Sequence, residues 1–349
     1  MIRRSPWWDK AVHADRRPLL IARGRIREAV RSYFETEGFI EVECGALQVS
    51  PGNEAHLHAF ATERIANDGN RRGFYLHTSP EFACKKLLAA GERKIFALAP
   101  VYRNREHGDL NVPEFTMLEW YRAEQNYDAV IEDALRIVKS AANGAGCATF
   151  GFRDRRCDPF ASPVRITVAE AFQTSAGIDL TATLGPGDST DRDALARQAA
   201  SAGIKVSSDD TWSDIFSRIL VERIEPGLGV GAPTILDHYP RAEAALARAT
   251  REDERFAERF ELYLCGVELA NGFGELTDAA EQRRRFEREM EEKQRIYGER
   301  YPIDEDFLAA LAHMPPACGV ALGFDRLVML ATNAGRIDRV MWTPPPEER

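Results

Sequence analysis

The sequence predicts an α+β fold in which antiparallel strand pairs lie among amphipathic helices, and three observations predict it. Two alternating segments, Lys94–Tyr102 and Glu114–Arg122, flank a polar loop and read as antiparallel strands. A second pair turns at Cys265 and Gly266 within RFELYLCGVELANGF, where two residues suffice for a hairpin. Helices are expected over Arg23–Glu37, Asp128–Asn143 and Thr211–Ile224, the first from apolar Ile26, Val30, Tyr33 and Phe34 at helical spacing.

Composition sets limits. At 349 residues, 44% hydrophobic and 29% charged, the chain is soluble in character and long enough for a large core in one mixed domain. A net charge of -9 argues against a broadly basic face that grasps a phosphate backbone. The six cysteines form no CxxC pair, which fits reduced thiols in a cytoplasmic protein better than a disulfide framework or zinc site. MIRRSPWWDK lacks a signal-peptide core, and no apolar run is long enough to span a bilayer, so no membrane role is expected.

In chain order, Gly38 stops the first helix and Phe39–Val42 reads as a short strand. Pro51, Gly52 and Asn53 turn the chain into an alternating segment, His56–Phe60, whose two histidines share a face and suit hydrogen bonding better than metal ligation. FYLHTSPEFACKKLLAAG reads as a strand into a helix, with Thr78 or Ser79 as N-cap, Pro80 at the first helical position and Glu81 in the first turn. The stretch of roughly 160–230, with its LGPGDSTD segment, reads as a peripheral insertion, and Pro233–Tyr239 as an apolar strand. Asn271–Glu275 reads as an irregular turn, and Asp278–Tyr297 as a charged, solvated helix. Gly319–Phe324 is a strand feeding a helix that Asp325 is placed to cap.

Three places carry chemistry. In the central pair, Phe115, Met117, Glu119 and Tyr121 share one face. If that face is buried, Glu119 must meet a cation or hold a proton; a solvated face requires neither. If Cys265 and Gly266 form a two-residue turn, Tyr263 lies opposite Glu268, and Glu261 is two residues along the same face. Two carboxylates that close repel by ~4 kcal/mol at an effective dielectric of about 20, so a partly buried pair shares a proton or binds a hard cation such as Mg²⁺. Two exposed strand acids are the alternative. Arg326, in a first helical turn, is placed to hold phosphate or stack on a base, or is a plain surface arginine.

The Arg23–Val42 helix and strand, YRNRE to PEFTMLEWY, and GVALGFDRLVML together resemble the three signature motifs of class II aminoacyl-tRNA synthetases, specifically the lysyl branch. ELANGFGEL and TSPEFACKKLL resemble the two walls of that branch's lysine pocket. The similarity spans nearly the whole chain, 1–349, in the right order. It implies an antiparallel sheet flanked by helices, a homodimer through the first motif, and an aminoacyl-adenylate made from ATP. By this resemblance Arg103 holds the α-phosphate and the amino-acid carboxylate, Glu106 and Phe115 meet adenine, and Arg326 covers it near the γ-phosphate. Asn111 stands where a phosphate-contacting histidine is usual, so Arg105 or His107 is expected to reach the γ-phosphate instead. Glu261 and Glu268 are implied as the Mg²⁺ and ATP carboxylates. Ser79, Glu81, Glu119, Tyr121, Asn271, Phe273, Glu275 and Ala321 are implied as the lysine site, with Arg103, Arg326 and Glu268 carrying catalysis.

Only about twenty residues precede the first-motif helix, so no anticodon-binding barrel is expected. That pattern is similar to truncated lysyl-tRNA synthetase paralogues that join β-lysine to a lysine of translation elongation factor P, and the resemblance argues against tRNA as the acceptor. Ala321 stands at the middle glycine of the usual GxGxG. Its methyl group is expected to displace an α-amino acid in favour of (R)-β-lysine. Cys44 and Gly45 replace an expected proline at the end of the first motif. A truncated lysyl-adenylate enzyme charging tRNA or another acceptor, and a non-catalytic synthetase-like binding protein, are the alternatives; the intact set Arg103, Glu261, Glu268 and Arg326 argues against the second.

Overall fold

A long helix sets the frame. In the computed structural model, which describes residues 6–244 and 246–345, α1 runs Lys10–Thr36, and Asp9 caps it by accepting from the N–H groups of Ala11 and Val12. Residues 1–5, part of the stretch read as lacking a signal peptide, lie outside the described residues. The helix starts well before the expected Arg23, because its first half is polar and contains Pro18, which hides the periodicity. Buried Arg16 and Leu20 anchor that half, and Gly38 at φ 76° ends the helix as expected.

Next come β1 (Ile40–Glu41), a small sheet of β2 (Leu47–Gln48), β3 (Ala61–Ile65) and β4 (Arg71–Leu76), and α2 (Glu81–Ala89). The hairpin β5 (Lys94–Tyr102) and β6 (Glu114–Ala123) precedes α3 (Tyr127–Ala145) and the short pair β7 (Phe150–Phe152) and β8 (Arg155–Cys157). Then β9 (Val164–Thr167), α4 (Val168–Ala176), α5 (Arg192–Ser201) and α6 (Trp212–Ile219) lead to β10 (Thr234–Pro240). The order ends with β11 (Phe256–Leu264), β12 (Val267–Gly274), α7 (Ala279–Tyr297), α8 (Glu305–Leu311), β13 (Ala317–Gly323) and α9 (Phe324–Thr332).

Eight strands form the main sheet in the order β1-β5-β6-β13-β12-β11-β10-β9. It is antiparallel except at its two ends, where β1 runs parallel to β5 and β9 parallel to β10. The alternation within each strand sends two apolar sets to opposite faces. On the back face Phe96, Leu118, Trp120, Val320 and Leu262 pack with α1, α3 and α9. The front face is covered only at its sides. Ile95, Ala97 and Tyr121 pack against α2, α7 and α8, while Leu236, Tyr239 and Tyr263 pack against α4 and α6. The strip of sheet between these clusters is the floor of a cleft.

A buried ion pair ties the back layer together. Arg122 donates to both oxygens of Asp133 at 2.6 and 2.7 Å, and Tyr33 and Trp120 also donate to Asp133, at 2.5 and 3.2 Å.

Four readings are corrected here. Asn271–Gly274 is not an irregular turn but the end of β12 in the sheet interior. A Cβ on Gly272 would lie 2.4 Å from the Phe260 ring, so the glycine lets an aromatic lie across the strand rather than breaking it. His56–Phe60 forms no extended strand; His56 and His58 hydrogen-bond Tyr297 and Glu299 at 2.9 and 3.0 Å. The α7 helix is not simply solvated, since Phe286, Met290 and Lys293 are buried, the last donating to the carbonyls of Ala55 and Leu57. Asp325 does not cap α9. It lies buried in the first turn, paired with Arg23 and accepting from the Thr116 N–H at 2.6 Å.

Candidate active site

The strand register assembles the cleft floor. Directly opposed residues project to one face, so Ala97, Glu119, Ala321, Asn271 and Glu261 form a line across five strands. The neighbouring line is Ile95, Tyr121, Gly319, Phe273 and Arg259. Gly319 makes room within it. A Cβ there would lie 2.4 Å from the Tyr121 ring and 2.6 Å from Glu275 Oε1.

One half of the floor is a carboxylate-walled pocket. Glu119 is fully buried and accepts from Ser79 Oγ at 2.5 Å and from Tyr121 OH at 2.9 Å. Burial first, and then Glu81, push its carboxyl up to about 8, so it holds a proton at neutral pH. Ser79 also accepts from the Glu81 N–H at 3.0 Å, joining the start of α2 to β6. Pro80 is the N-cap residue rather than the first helical one. Across the pocket Lys85 Nζ lies 2.6 Å from Glu275 Oε2 and also pairs with Glu81. Burial raises Glu275 to about 7 against the pull of Lys85. Among the described residues Asn271 Oδ1, on the cleft floor, is buried without a hydrogen-bond partner. Behind the pocket, Cys44 Sγ and Cys84 Sγ are 3.7 Å apart, both free thiols as expected.

The other half collects arginines and acids. Arg103 Nε donates to the Thr78 carbonyl at 3.2 Å, and its guanidinium lies 5.4 Å from the Phe115 ring centre. Arg326 reaches from α9 to donate to Asn111 Oδ1 at 2.7 Å and to the Glu268 carbonyl at 2.8 Å. Asn111 in turn donates to Glu106 Oε2 at 2.7 Å. The loop between β5 and β6 is thus latched to α9 through Arg326, which also donates to the Leu110 carbonyl at 3.4 Å. Arg105 is engaged elsewhere: it pairs with Glu299 and lies 5.7 Å from the Tyr297 ring centre.

The acid pair borders the arginine half, with Arg326 Nη1 3.7 Å from Glu268 Oε2. The turn at Cys265 and Gly266 forms with both residues at positive φ, 56° and 69°, and sets Tyr263 opposite Glu268 as expected. A bulge at Leu262/Tyr263 then brings Glu261 opposite Asn271 instead of Ala270. Glu261 accepts from Arg259 at 2.7 Å and from Tyr263 OH at 2.6 Å. The Glu268 side chain keeps 41% of its surface open to the cleft, yet the surrounding protein, and next Glu261, raise it to about 7. Among the described residues no third His, Cys, Asp or Glu completes a metal cage with this pair. Two carboxylates without a cage, one of them open and reluctant to ionise, fit a hard cation that keeps water and phosphate oxygens as its other ligands.

Lys85 and Arg259 escaped the sequence reading, although each had a signal. Lys85 follows Glu81 by four residues on a helix, and Arg259 precedes Glu261 by two on a strand. Thr78, whose carbonyl receives Arg103, had none, because a backbone contact leaves no trace in residue type.

A mainly antiparallel sheet with helices behind it and this cleft in front defines a class II synthetase-type domain. The family model described as tRNA synthetases class II (D, K and N) matches residues 3–345, and the chain belongs to that family. Among its relatives is a Haemophilus ducreyi protein named elongation factor P--(R)-beta-lysine ligase, 38% identical over 324 residues that cover 92% of each chain. Proteins of the same name from Haemophilus influenzae and Mannheimia succiniciproducens are each 37% identical, covering 92% of this chain and 93% of theirs. No helix among the described residues is long and apolar enough to cross a membrane.

Proposed function

We propose that this chain activates (R)-β-lysine with ATP and transfers the β-lysyl group to a lysine side chain of translation elongation factor P. The observation that carries the reading is the pocket around Glu119: three acids and a tyrosine walled into the front face of the sheet, with Arg103 donating to the carbonyl of Thr78, the residue before Ser79 of that pocket. An amino acid with two ammonium groups suits those walls, and the names of the relatives support the β-isomer and the acceptor.

In this reading Phe115 and Glu106 receive adenine, while Arg103 and Arg326 neutralise phosphate charge and Arg103 also orients the substrate carboxylate. The carboxylate oxygen attacks the α-phosphorus in line and the bond to the bridging oxygen breaks, releasing pyrophosphate. Positioning and charge stabilisation by the two guanidinium groups supply the rate, with no covalent enzyme intermediate. Glu261 and Glu268 would hold Mg²⁺, which supplies neutralisation of the β- and γ-phosphate charge when bound. The acceptor amine then attacks the adenylate carbonyl, loses a proton and displaces AMP. Glu81, Glu119, Tyr121, Asn271, Phe273 and Glu275 hold the substrate's ammonium groups and chain, and Ala321 lies beside Glu119 where its methyl group bears on the amine position. A cytoplasmic homodimer through α1 and β1 belongs to the same reading, supported by Ile40, which is 56% exposed on the edge strand.

Amino-acid-dependent exchange of pyrophosphate into ATP tests it. (R)-β-Lysine is expected to support faster exchange than α-lysine, and absence of exchange with every lysine isomer overturns the reading.

A further inference from the structure

Lys85 lies inside the carboxylate-walled pocket, and the mechanism above gives it no task. Its side chain is 1% exposed, its ammonium pairs with both Glu81 and Glu275, and it comes from the helix that supplies Glu81. Burial by itself lowers the pKa of an ammonium, but Glu275 and Glu81 raise it by more, so Lys85 stays charged. The neighbouring Lys86 offers a contrast: it is 28% exposed and pairs with Asp304 and Asp306 at 2.9 and 2.8 Å, outside the pocket.

Charge counting gives Lys85 a role. Glu81, Glu119 and Glu275 bring three carboxyl groups to one pocket, and Lys85 is the cation ion-paired with two of them; Glu54 lines the same cavity as Ser79 and Glu81, and Arg248, paired with Glu258, pulls more weakly on Glu275. The acids outnumber this one buried ammonium, which suits an amino acid carrying two ammonium groups better than a monoamino acid. A buried carboxylate left without a cation takes up a proton or reorients, and in either case stops being a fixed acceptor.

We propose that Lys85 is a positioning residue that acts as a built-in ammonium: it holds Glu81 and Glu275 in place and leaves room for two substrate ammonium groups. The inference rests on the reading that this pocket takes a lysine-type substrate.

Pyrophosphate exchange with separate KM values for amino acid and ATP tests it. Lys85→Met is expected to raise KM for the amino acid by roughly tenfold to a hundredfold, the weight of one charged hydrogen bond, with KM for ATP unchanged. It is also expected to narrow the preference for lysine over norleucine, which lacks the second amine. Lys86→Met, which removes two salt bridges from the same helix, is expected to change neither KM. In Lys85→Ala, ethylammonium is expected to occupy the vacated place and lower the amino-acid KM again.

An unchanged amino-acid KM in Lys85→Met, an equal loss in Lys86→Met, or no rescue of Lys85→Ala would each overturn the role. Failure of both Lys85 variants to fold, with or without ethylammonium, would make Lys85 a structural residue and overturn it too. Wild-type protein without lysine-dependent exchange would instead sink the underlying function, and the role of Lys85 with it.

Discussion

Replacing Glu119 by Gln tests the pocket in two independent ways. The substitution keeps the shape and removes the charge: of the Ser79 and Tyr121 hydroxyls, the one facing the new amide nitrogen can turn to accept from it while the other still donates to the amide oxygen. An ammonium about 4 Å from a carboxylate gains ~4 kcal/mol at an effective dielectric of about 20. Because Glu119 is raised to about 8, ionising it at neutral pH costs one pKa unit, or about 1.4 kcal/mol. The difference, about 2.6 kcal/mol, corresponds to a rise of roughly 80-fold in KM for the amino acid. The assay is pyrophosphate exchange at pH 7, with KM for ATP as the internal control.

Stability should move the other way. The ordinary carboxyl value is 4.5, so between 4.5 and about 8 the folded protein keeps a proton on Glu119 that the unfolded chain gives up. Stability contributed by this group is therefore present below that window and declines as pH rises through it. Glu119→Gln is expected to melt above wild type at pH 8, with the gap closing toward pH 5. An amino-acid KM within about fivefold of wild type, against the ~80-fold expected from one buried charge, would refute the reasoning. So would a melting difference that ignores pH.

Three further outcomes are expected. Glu268→Gln should shift the Mg²⁺ concentration for half-maximal exchange upward by about tenfold, since it removes one of the two proposed carboxylate ligands; an unchanged magnesium titration contradicts that assignment. Ala321→Gly should move the preference from (R)-β-lysine toward α-lysine, and an unchanged ratio would show that the methyl group does not set the amine position. Asp133→Ala should lower unfolding free energy by about 3–5 kcal/mol in urea titrations, because it strands buried Arg122 and the Tyr33 and Trp120 donors, while amino-acid KM stays near wild type.

Much of the site was legible because its residues alternate along strands. The period of two placed Glu119 and Tyr121 together, and the Cys265-Gly266 turn placed Glu268 against Tyr263. What escaped was cross-strand. Asn271-Gly-Phe-Gly read as a turn because glycine usually marks one, whereas here Gly272 and Gly319 are small so that Phe260 and Tyr121 can lie over them. Asp325 read as a helix cap because it precedes an apolar run, but its partners, Arg23 and Thr116, are far away in sequence. The parallel pairings at the sheet ends were invisible for the same reason, since only tertiary packing selects them, while the early start of α1 was hidden by its polar first half and Pro18. The β5–β6 loop was the least predictable stretch, since its conformation depends on Glu299 and Arg326, neither adjacent to it in sequence.

The adenylate is expected to pass to a protein acceptor. Purified chain, ATP, Mg²⁺ and (R)-β-lysine should be incubated with elongation factor P and tRNA in the same reaction, with intact-protein mass and acid-stable aminoacyl-tRNA read in parallel. The expected result is a mass gain of one lysyl group on elongation factor P, one AMP per group transferred, and uncharged tRNA. Charged tRNA beside unmodified elongation factor P would contradict it.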